Sequence, residues 1–538
     1  MKFVSVQEMI AIEREADRSG LNYPTMMENA GSGLAQIVHD RYQYLKPGPV
    51  FGLIGSGNNG GDTLVALSNL AKWGWQPRAY LVRPRSMNDP LIQRLIDSGG
   101  QIYSGEDDQD FEILISLIQA SALLLDGVLG TGIRLPLRGR VANILGLTAL
   151  VIAQLEEKPT VVAVDCPSGV DCDSGEAADE CIPADLTVTM AAVKMGLLRF
   201  PAYNFVGELQ LVGIGLRDDL VSWNSINRFV ADDQFTAQCL PNRGLDAHKG
   251  TFGTALIIAG SINYTGAVLL SGQAAYRVGA GLVTLAVPEP LHSALAGHFA
   301  EATWLPLPDE SGVISEKAYD VLERNFGRQT AVLIGPGFGL NQTTGKFLSR
   351  MIGDNRLSRA SDQSNHVDAL LDKSGLSTLV LDADGLKLLA EISDWPQRLP
   401  PYSILTPHPG EMAVLTGLSV AEIQRDRLAC AEHYAEQWGH VVILKGAFTI
   451  IASPEGKTAI IPVAAPALAR AGTGDVLAGL VVGLRAQGVD AFAAAVSGAW
   501  IHARAGLHAA EVLGSSAVVL AGDVLQGIVD VMATLSDR

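Results

Sequence analysis

Apolar and polar positions along the chain follow two alternating periods. Residues 9–19 carry acidic and apolar side chains at helical spacing, and 25–38 continue as a second helix. Residues 50–54 are a short apolar run, as expected of a buried strand that ends in a glycine-rich segment, and 63–73 return to the helical period. Further apolar runs at 78–82, 122–126 and 160–165 read as strands with helices between them, a βαβα pattern that predicts a mostly parallel sheet. The charged, irregular stretch 216–243 breaks this series, and the expected domains are 1–220 and 225–538. A second strand–helix series runs through 254–259, 282–287, 331–334, 378–382 and 441–444 and closes in Ala-rich helices after Asp475. Residues 354–375 are polar, lack periodicity and read as a mobile surface insertion.

Composition changes this picture in one respect. Hydrophobic residues make up 48% and charged residues 18%, as in a well-buried globular enzyme, and 538 residues are too many for one ordinary core. The net charge of -18 disfavours nucleic acid and anionic membranes as partners. An anionic ligand must then be held by local devices such as helix N-termini and a few placed cations. Five cysteines, sparse and odd in number, argue for a reducing compartment rather than a disulfide scaffold. The first residues reach Glu8, Glu13 and Glu15 without an apolar stretch, so a cytoplasmic enzyme is expected, assembled as a homo-oligomer.

The candidate chemistry lies in two glycine-rich turns. In the first, Gly-Ser-Gly-Asn-Asn-Gly-Gly-Asp (55–62) follows a strand and precedes a helix, the setting for close approach of a phosphate. Taken alone it is equally a tight turn with Asp62 as a helix cap. Two more strand ends carry acids: Asp126 before the turn at 127–132, and Asp165 before Cys-Pro-Ser-Gly-Val-Asp (166–171). Carboxyl ends of parallel strands face one crevice, so these groups can converge. Together with Tyr-Pro-Thr-Met-Met-Glu-Asn-Ala-Gly (23–31) and the segment 187–196, they resemble the NAD(P)H-hydrate epimerase domain over roughly the first 215 residues. The resemblance implies a Rossmann-like parallel-sheet sandwich and assigns the hydrated nucleotide to Asn58, Asn59, Gly60, Gly61 and Asp62, and to Gly130, Thr131, Gly132, Ile133, Arg134, Leu135 and Pro136. It further implies K⁺ held by Asn59, Asp126 and Ser168, all hard oxygen donors, and Asp165 as the acid/base residue that inverts C6. Lys194 is open between a second proton carrier and a phosphate or surface lysine. Cys166, with no identified His partner, reads as a small buried residue.

The second turn, Arg-Ala-Gly-Thr-Gly-Asp (470–475), opens a helix whose N–H groups form an anion hole, with Asp475 beside it as the base for an attacking hydroxyl. An Asp in a first turn is alternatively a plain dipole-complementing residue. Its companions are Ala-His-Lys-Gly-Thr-Phe-Gly (247–253), Gly-Pro-Gly-Phe-Gly (335–339), Leu-Asp-Ala-Asp-Gly (381–385), Leu-Thr-Pro-His-Pro-Gly-Glu (405–411) and Leu-Lys-Gly-Ala-Phe-Thr (444–449). This set resembles the ADP/ATP-dependent NAD(P)H-hydrate dehydratase domain, which is ribokinase-like, over most of 246–529. The resemblance assigns Gly253, Gly337, His408 and Asp475 to the hydrate, and Lys445, Gly446, Ala447, Phe448, Thr449 and Gly474 to an adenine nucleotide with Mg²⁺. The segment 463–468 lacks the Asn expected there in this family.

These readings predict an α/β protein of two domains acting on the hydrates of NADH and NADPH, with ADP as the favoured phosphoryl donor. One enzymatic alternative is a ribokinase-like small-molecule kinase with an accessory Rossmann-like domain. The other is a nucleotide-sensing module, for which placed proton carriers such as Asp165, His408, Lys445 and Asp475 have no use.

Overall fold

The computed structural model describes residues 1–46, 48–86, 88–353 and 378–536, so the insertion expected at 354–375 lies outside the described residues. The chain divides into two compact units, Met1–Arg228 and Phe229–Arg538.

The first unit is built on seven parallel strands: β1 (Pro49–Ile54), β2 (Gln76–Leu81), β3 (Gln101–Ser104), β4 (Leu123–Gly127), β5 (Thr160–Val164), β6 (Leu186–Met190) and β7 (Glu208–Val212). Their order is β3-β2-β1-β4-β5-β6-β7, so the direction of winding reverses between β1 and β4. Burial on both faces explains the unbroken apolar runs of the sequence. Val50 and Ile54 of β1 face one core with helices α1 (Val6–Arg18), α2 (Tyr23–Tyr42) and α3 (Asn58–Lys72), while Phe51 and Leu53 face the other. The result is the expected three-layer sandwich.

Two helix starts differ from the sequence reading for local reasons. α1 begins at Val6 rather than near residue 9 because Ser5 and Glu8 form a capping box: Ser5 Oγ accepts from the Glu8 amide at 3.2 Å, and Glu8 Oε2 accepts from the Ser5 amide at 2.8 Å. α3 begins at Asn58 rather than 63, so most of the glycine segment is the first turn of the helix itself, with Gly57 as N-cap. Asp62 therefore lies inside α3 and caps nothing. The domain boundary also lies later than residue 220. The Glu15 carboxylate accepts from the amides of Val221 and Ser222, both at 2.8 Å, and Arg228 pairs with Glu8, which holds this segment to the first unit.

The second unit holds β8 (Arg228–Val230), β9 (Thr254–Ile258), β10 (Leu282–Pro288), β11 (Thr303–Leu307), β12 (Ala331–Ile334), β13 (Leu379–Leu381), β14 (Ile404–Leu405), β15 (Val441–Leu444), β16 (Ile450–Ala452) and β17 (Thr458–Ile460). The order is β8-β17-β16-β15-β14-β13-β12-β9-β10-β11, parallel from β15 to β11 and antiparallel between β15, β16 and β17. Here the winding reverses between β9 and β12. Helix α4 (Pro409–Thr416) follows β14; α5 (Thr473–Ala486) and α6 (Ala491–Leu513) pack their small side chains into the core under the sheet. No helix among the described residues is long and apolar enough to cross a membrane.

Removing the α1 cap tests this local account. Ser5→Ala should lower the opening free energy of α1 by about 1 kcal/mol, read as faster native-state hydrogen exchange at the Met9 and Ile12 amides. Unchanged protection would mean that packing alone holds the helix.

Candidate functional site

Each sheet places its chemistry at the carboxyl ends of its parallel strands, in the first unit where the strand order reverses and in the second along the ends of β13 to β15. In the first unit a cavity of about 410 Å³ lies over the ends of β1 and β4. Residues 55–59, Asp62, 128–133, Asp165 and Lys194 line it, joined by Val6, Met9, Ile10 and Glu13 of α1. The structure thus brings together Asn58, Asn59, Asp62, Gly130, Thr131, Gly132, Ile133 and Asp165. Gly60 and Gly61 stand behind the wall: a Cβ on Gly60 would lie 2.1 Å from the Gly55 carbonyl oxygen, and Gly61 packs on the Met27 sulfur. Arg134, Leu135 and Pro136 are not among the lining residues.

Asp165 follows β5 with φ +65°, a conformation that costs a non-glycine residue roughly 1–3 kcal/mol. Its Oδ1 accepts from the Thr189 hydroxyl at 3.2 Å, the Met190 amide at 3.0 Å and the Lys194 ammonium. Lys194 is fully buried and also donates to Thr189 Oγ1 at 3.2 Å and to the Met190 carbonyl at 2.8 Å. An ammonium has three N–H donors, and all three are engaged. Lys194 is therefore the counter-ion of Asp165, neither a surface lysine nor a free proton carrier. Asp62 presents the opposite case. Only 8% exposed, its carboxyl has no hydrogen-bond partner among the described residues. Burial, then the charges of Asp165 and Glu13, push it well above the usual carboxylate range, opposed only by Lys194. Burial likewise raises Glu13, with Lys194 opposing and Asp165 adding.

Beside the cavity, Asp126 ends β4 fully buried. Its Oδ1 accepts from the Ser168 hydroxyl at 2.6 Å and its Oδ2 from the Ser168 amide at 2.8 Å, while burial still raises its carboxyl. The Ser168 hydroxyl accepts from the Leu129 amide at 2.9 Å, and the Asn59 amide donates to the Leu129 carbonyl at 2.9 Å. Asn59, Asp126 and Ser168 thus converge on one turn, 127–130. Arg85 clamps the preceding loop by donating to the carbonyls of Gly55 at 3.0 Å and Gly57 at 3.2 Å. Cys166 is buried as read, and its thiol is pushed up by Cys172 and by burial.

In the second unit the site is organised around Asp382, 1% exposed at the end of β13. Its Oδ1 accepts from the Thr406 hydroxyl at 2.5 Å and from Lys445 Nζ at 2.7 Å. Lys445 also lies 3.6 Å from Glu411 Oε2. Burial alone would lower the lysine, but Asp382, Glu411 and Asp475 reverse the sign and hold it cationic. A Cβ on Gly474 would lie 3.6 Å from Lys445 Nζ, so the ammonium sits beside the first turn of α5. That turn starts from Gly472 at φ +89°, the left-handed conformation glycine adopts without penalty. Asp475, one turn in, is pushed up to about 7 by burial first, then by Asp382, Asp384 and Glu411, with Lys445 opposing.

His408 caps α4. Its Nδ1 accepts from the amides of Gly410 at 2.9 Å and Glu411 at 3.3 Å, and Glu411 Oε2 accepts from the His408 amide at 2.9 Å. Nδ1 is thus engaged by the helix start, and Nε2 lies 3.4 Å from Glu411 Oε1 on a half-exposed ring that can still meet a ligand. The loop Lys445 to Thr449 is fixed by Arg427, whose guanidinium donates to the carbonyls of Leu444 at 3.0 Å, Lys445 at 3.2 Å and Ala447. Gly446 packs against the same guanidinium, Phe448 is buried at φ +53°, and the Thr449 hydroxyl donates to the Gly446 carbonyl at 2.9 Å. Gly337 closes against the Tyr264 carbonyl and Ala267, bringing the turn after β9 to the same edge.

Gly253 is misplaced by the sequence reading. It precedes β9, at the far end of the sheet, where a Cβ would lie 1.8 Å from the Ala486 carbonyl oxygen. Ala486 ends α5 and Asp475 begins it, so Gly253 lies roughly 16 Å from the reacting end at 1.5 Å per residue. It is needed for packing, not for ligand contact. Sequence reasoning also missed Glu13, Arg85, Thr406 and Arg427. Only Glu13 left a signal: Val6, Met9, Ile10 and Glu13 share helical spacing, which places a carboxylate in an apolar stripe.

Comparisons agree with this division. A family model for NAD(P)H-hydrate dehydratase matches residues 255–530, and one for the YjeF-related protein N-terminus matches 24–196. The bifunctional NAD(P)H-hydrate repair enzyme Nnr of Moorella thermoacetica is 34% identical over 550 residues, spanning 100% of this chain and 98% of the relative. That of Salinibacter ruber is 36% identical over 503 residues, 89% of this chain and 86% of the relative. Among solved structures, an ADP/ATP-dependent NAD(P)H-hydrate dehydratase from Bacillus subtilis co-crystallised with ATP/Mg²⁺ is 28% identical, covering 57% of this chain and 98% of that one at TM-score 0.45.

The raised Asp475 carboxyl has a consequence for stability. An acid harder to ionise folded than unfolded binds more protons in the native state, so its contribution falls as pH rises from about 4 to about 7. Asp475→Asn should therefore raise the unfolding free energy at pH 8, by at most about 4 kcal/mol before solvent screening is allowed for, with the gain vanishing below pH 4. A constant difference at all pH values would contradict the geometry.

Proposed function

The chain belongs to the bifunctional NAD(P)H-hydrate repair enzymes, and from that premise we propose that Met1–Arg228 interconverts the C6 epimers of the hydrates while Phe229–Arg538 dehydrates one of them. The observation that supports the division is that each unit has its own carboxylate at the carboxyl ends of its own sheet, Asp165 on the cavity wall in one and Asp475 beside Asp382 and Lys445 in the other.

In the second unit, hydroxide leaves C6 poorly, whereas a phosphate ester leaves readily under the push of the ring nitrogen. Asp475, with a carboxyl near 7, is poised to take the C6 hydroxyl proton at neutral pH. The first-turn N–H groups of α5 and the Lys445 ammonium face the place where phosphoryl charge develops. The rigid loop from Lys445 to Thr449 suits an adenine nucleotide, with ADP favoured as donor and Gly337 and His408 Nε2 at the hydrate side. Mg²⁺ would enter with the nucleotide phosphates and neutralise them; the neighbouring carboxylates Asp382, Asp384 and Glu411 leave that end of the crevice receptive to a cation.

In the first unit, the turn 55–62 and residues 130–133 suit the dinucleotide, and Asp165 keeps one carboxylate oxygen free toward the cavity. The buried Asp126, raised by desolvation with only Ser168 and a distant Val128 amide to meet it, fits a neutralising monovalent cation. Asn59, Asp126 and Ser168 would hold K⁺, which would supply charge balance and fix the 127–130 turn. Five free thiols support a reducing cytoplasm as its place of work.

Asp165→Asn should abolish epimerisation, at a cost of about 100-fold or more, and leave dehydration of the accepted epimer intact; Asp475→Asn should do the reverse. Recovery of NADH absorbance from a mixed-epimer substrate separates them, since the first variant stops at one epimer's share. Equal loss of both activities in either variant would sink the two-site reading, and a stable phosphorylated product would favour the small-molecule kinase. Wild-type dehydration should rise with pH to half its plateau near 7, and a flat profile from pH 5 to 9 would remove Asp475 as the base.

A further inference from the structure

Inversion at C6 needs an acid as well as a base. The leaving oxygen must be protonated as the ring nitrogen pushes it out, and the water that returns on the other face must be deprotonated. Asp165 is built as the base. Three donors converge on its Oδ1, including the Lys194 ammonium, and its Oδ2 has no partner among the described residues. Lys194 is not built as the acid, because all its protons are committed to Asp165, Thr189 and Met190.

Asp62 differs from both. It lines the same cavity from α3, across from the loop of Asp165, and is buried without a hydrogen-bond donor to stabilise its anion. Glu13 lines the cavity from α1, also without a hydrogen-bond partner among the described residues. We propose that Asp62 is the proton donor of the front site, a catalytic residue paired with Asp165, and that the Glu13 carboxylate is the positioning charge that keeps Asp62 protonated. The inference rests on reading the front site as an epimerase.

The step balances. The C6–O bond breaks as the nitrogen lone pair forms the C6=N1 bond, and the Asp62 proton leaves with the oxygen as water. A water oxygen then bonds to C6 from the opposite face, the C=N electrons return to nitrogen, and the spare proton passes to Asp165 Oδ2. Solvent exchange resets both carboxyls. Asp165 is met by three donors while Asp62 is buried with none among the described residues, and contrasted environments of this kind separate an acid from a base at one pH. Burial, Asp165 and Glu13 raise Asp62 while Lys194 opposes them, and burial likewise raises Glu13. Arg83 is the other charged residue on the wall. The pair titrates as a coupled group.

The test is the pH profile of epimerisation by the whole chain, with the two NADH-hydrate epimers separated by chromatography and the buffer rate subtracted. Wild-type kcat should fall at high pH as Asp62 ionises. Asp62→Asn should lower kcat by roughly 100-fold with KM within about threefold, and lose the high-pH fall; dehydration of the accepted epimer reports that the chain is folded. Glu13→Gln removes a repelling charge and should move the high-pH fall to lower pH with its plateau retained, a readout that does not depend on the Asp62 variant folding. An Asp62→Asn enzyme with wild-type kcat and profile overturns the inference, as does a Glu13→Gln profile that does not move. A wild-type chain that dehydrates one epimer yet never interconverts the two would overturn the epimerase reading of the front site itself, and this inference with it.

Discussion

Both sites depend on a carboxylate held where water cannot solvate it, at the carboxyl end of a parallel strand. Asp126 in the first sheet and Asp382 in the second are 0% and 1% exposed. A lone buried charge is prohibitive, so each must be met by fixed donors, and those donors determine the surrounding loops. Asp126 takes the hydroxyl and amide of Ser168, which ties the 166–171 loop to the turn after β4. Asp382 takes Thr406 and Lys445, which ties the ends of three successive strands into one edge. The glycine turns, the caps and the strained backbone at Asp165 and Ala383 are arranged around these two anchors.

The reversal of strand order gives the anchors their reach. Adjacent strand ends diverge at that point, and helix N-termini enter the gap on either side. The residues gathered at the strand ends come from distant stretches of sequence: Glu13, Asp62, Asp165 and Lys194 in one unit, Asp382, His408, Lys445 and Asp475 in the other. Each unit uses the gap with a different electrostatic setting. Lys194 pairs with Asp165, whereas around Asp475 the carboxylates outnumber the lysine and its carboxyl is pushed up to about 7. A shared architecture thus supports proton transfer to and from the C6 oxygen in one unit and activation of a hydroxyl for phosphoryl transfer in the other.

The parallel sheets and most strand-end motifs were legible because strands buried on both faces leave unbroken apolar runs, set off from helices of period 3.6. What escaped was set by tertiary contact. Arg427 acts on a loop that follows it by some twenty positions, through carbonyl groups that leave no side-chain signature. Gly253 was misread because a glycine beside a strand looks the same at either end of it. Which end faces the ligand depends on the direction of the strand, and the carbonyl that demands the glycine belongs to Ala486. Lys194 could be narrowed to one role only after its three acceptors were counted. The antiparallel extension by β16 and β17 was missed because two strands of three residues are too short to show a period.

The two settings also explain why one chain carries both. Transfer of a phosphoryl group to the C6 hydroxyl demands that the oxygen point at the donor, so a dehydratase site built around Asp475, as proposed, would accept one configuration at C6 and not the other epimer. An active site that relaxed this demand would lose the alignment on which the transfer rests. A single pocket cannot also invert the centre, because inversion by loss and return of water needs proton-carrying groups on both faces of C6, while phosphoryl transfer needs one face reserved for the nucleotide. Separate sites remove that conflict, and fusion keeps them in equal numbers. The hydrate need only diffuse from one to the other, so no contact between the units is required by the chemistry.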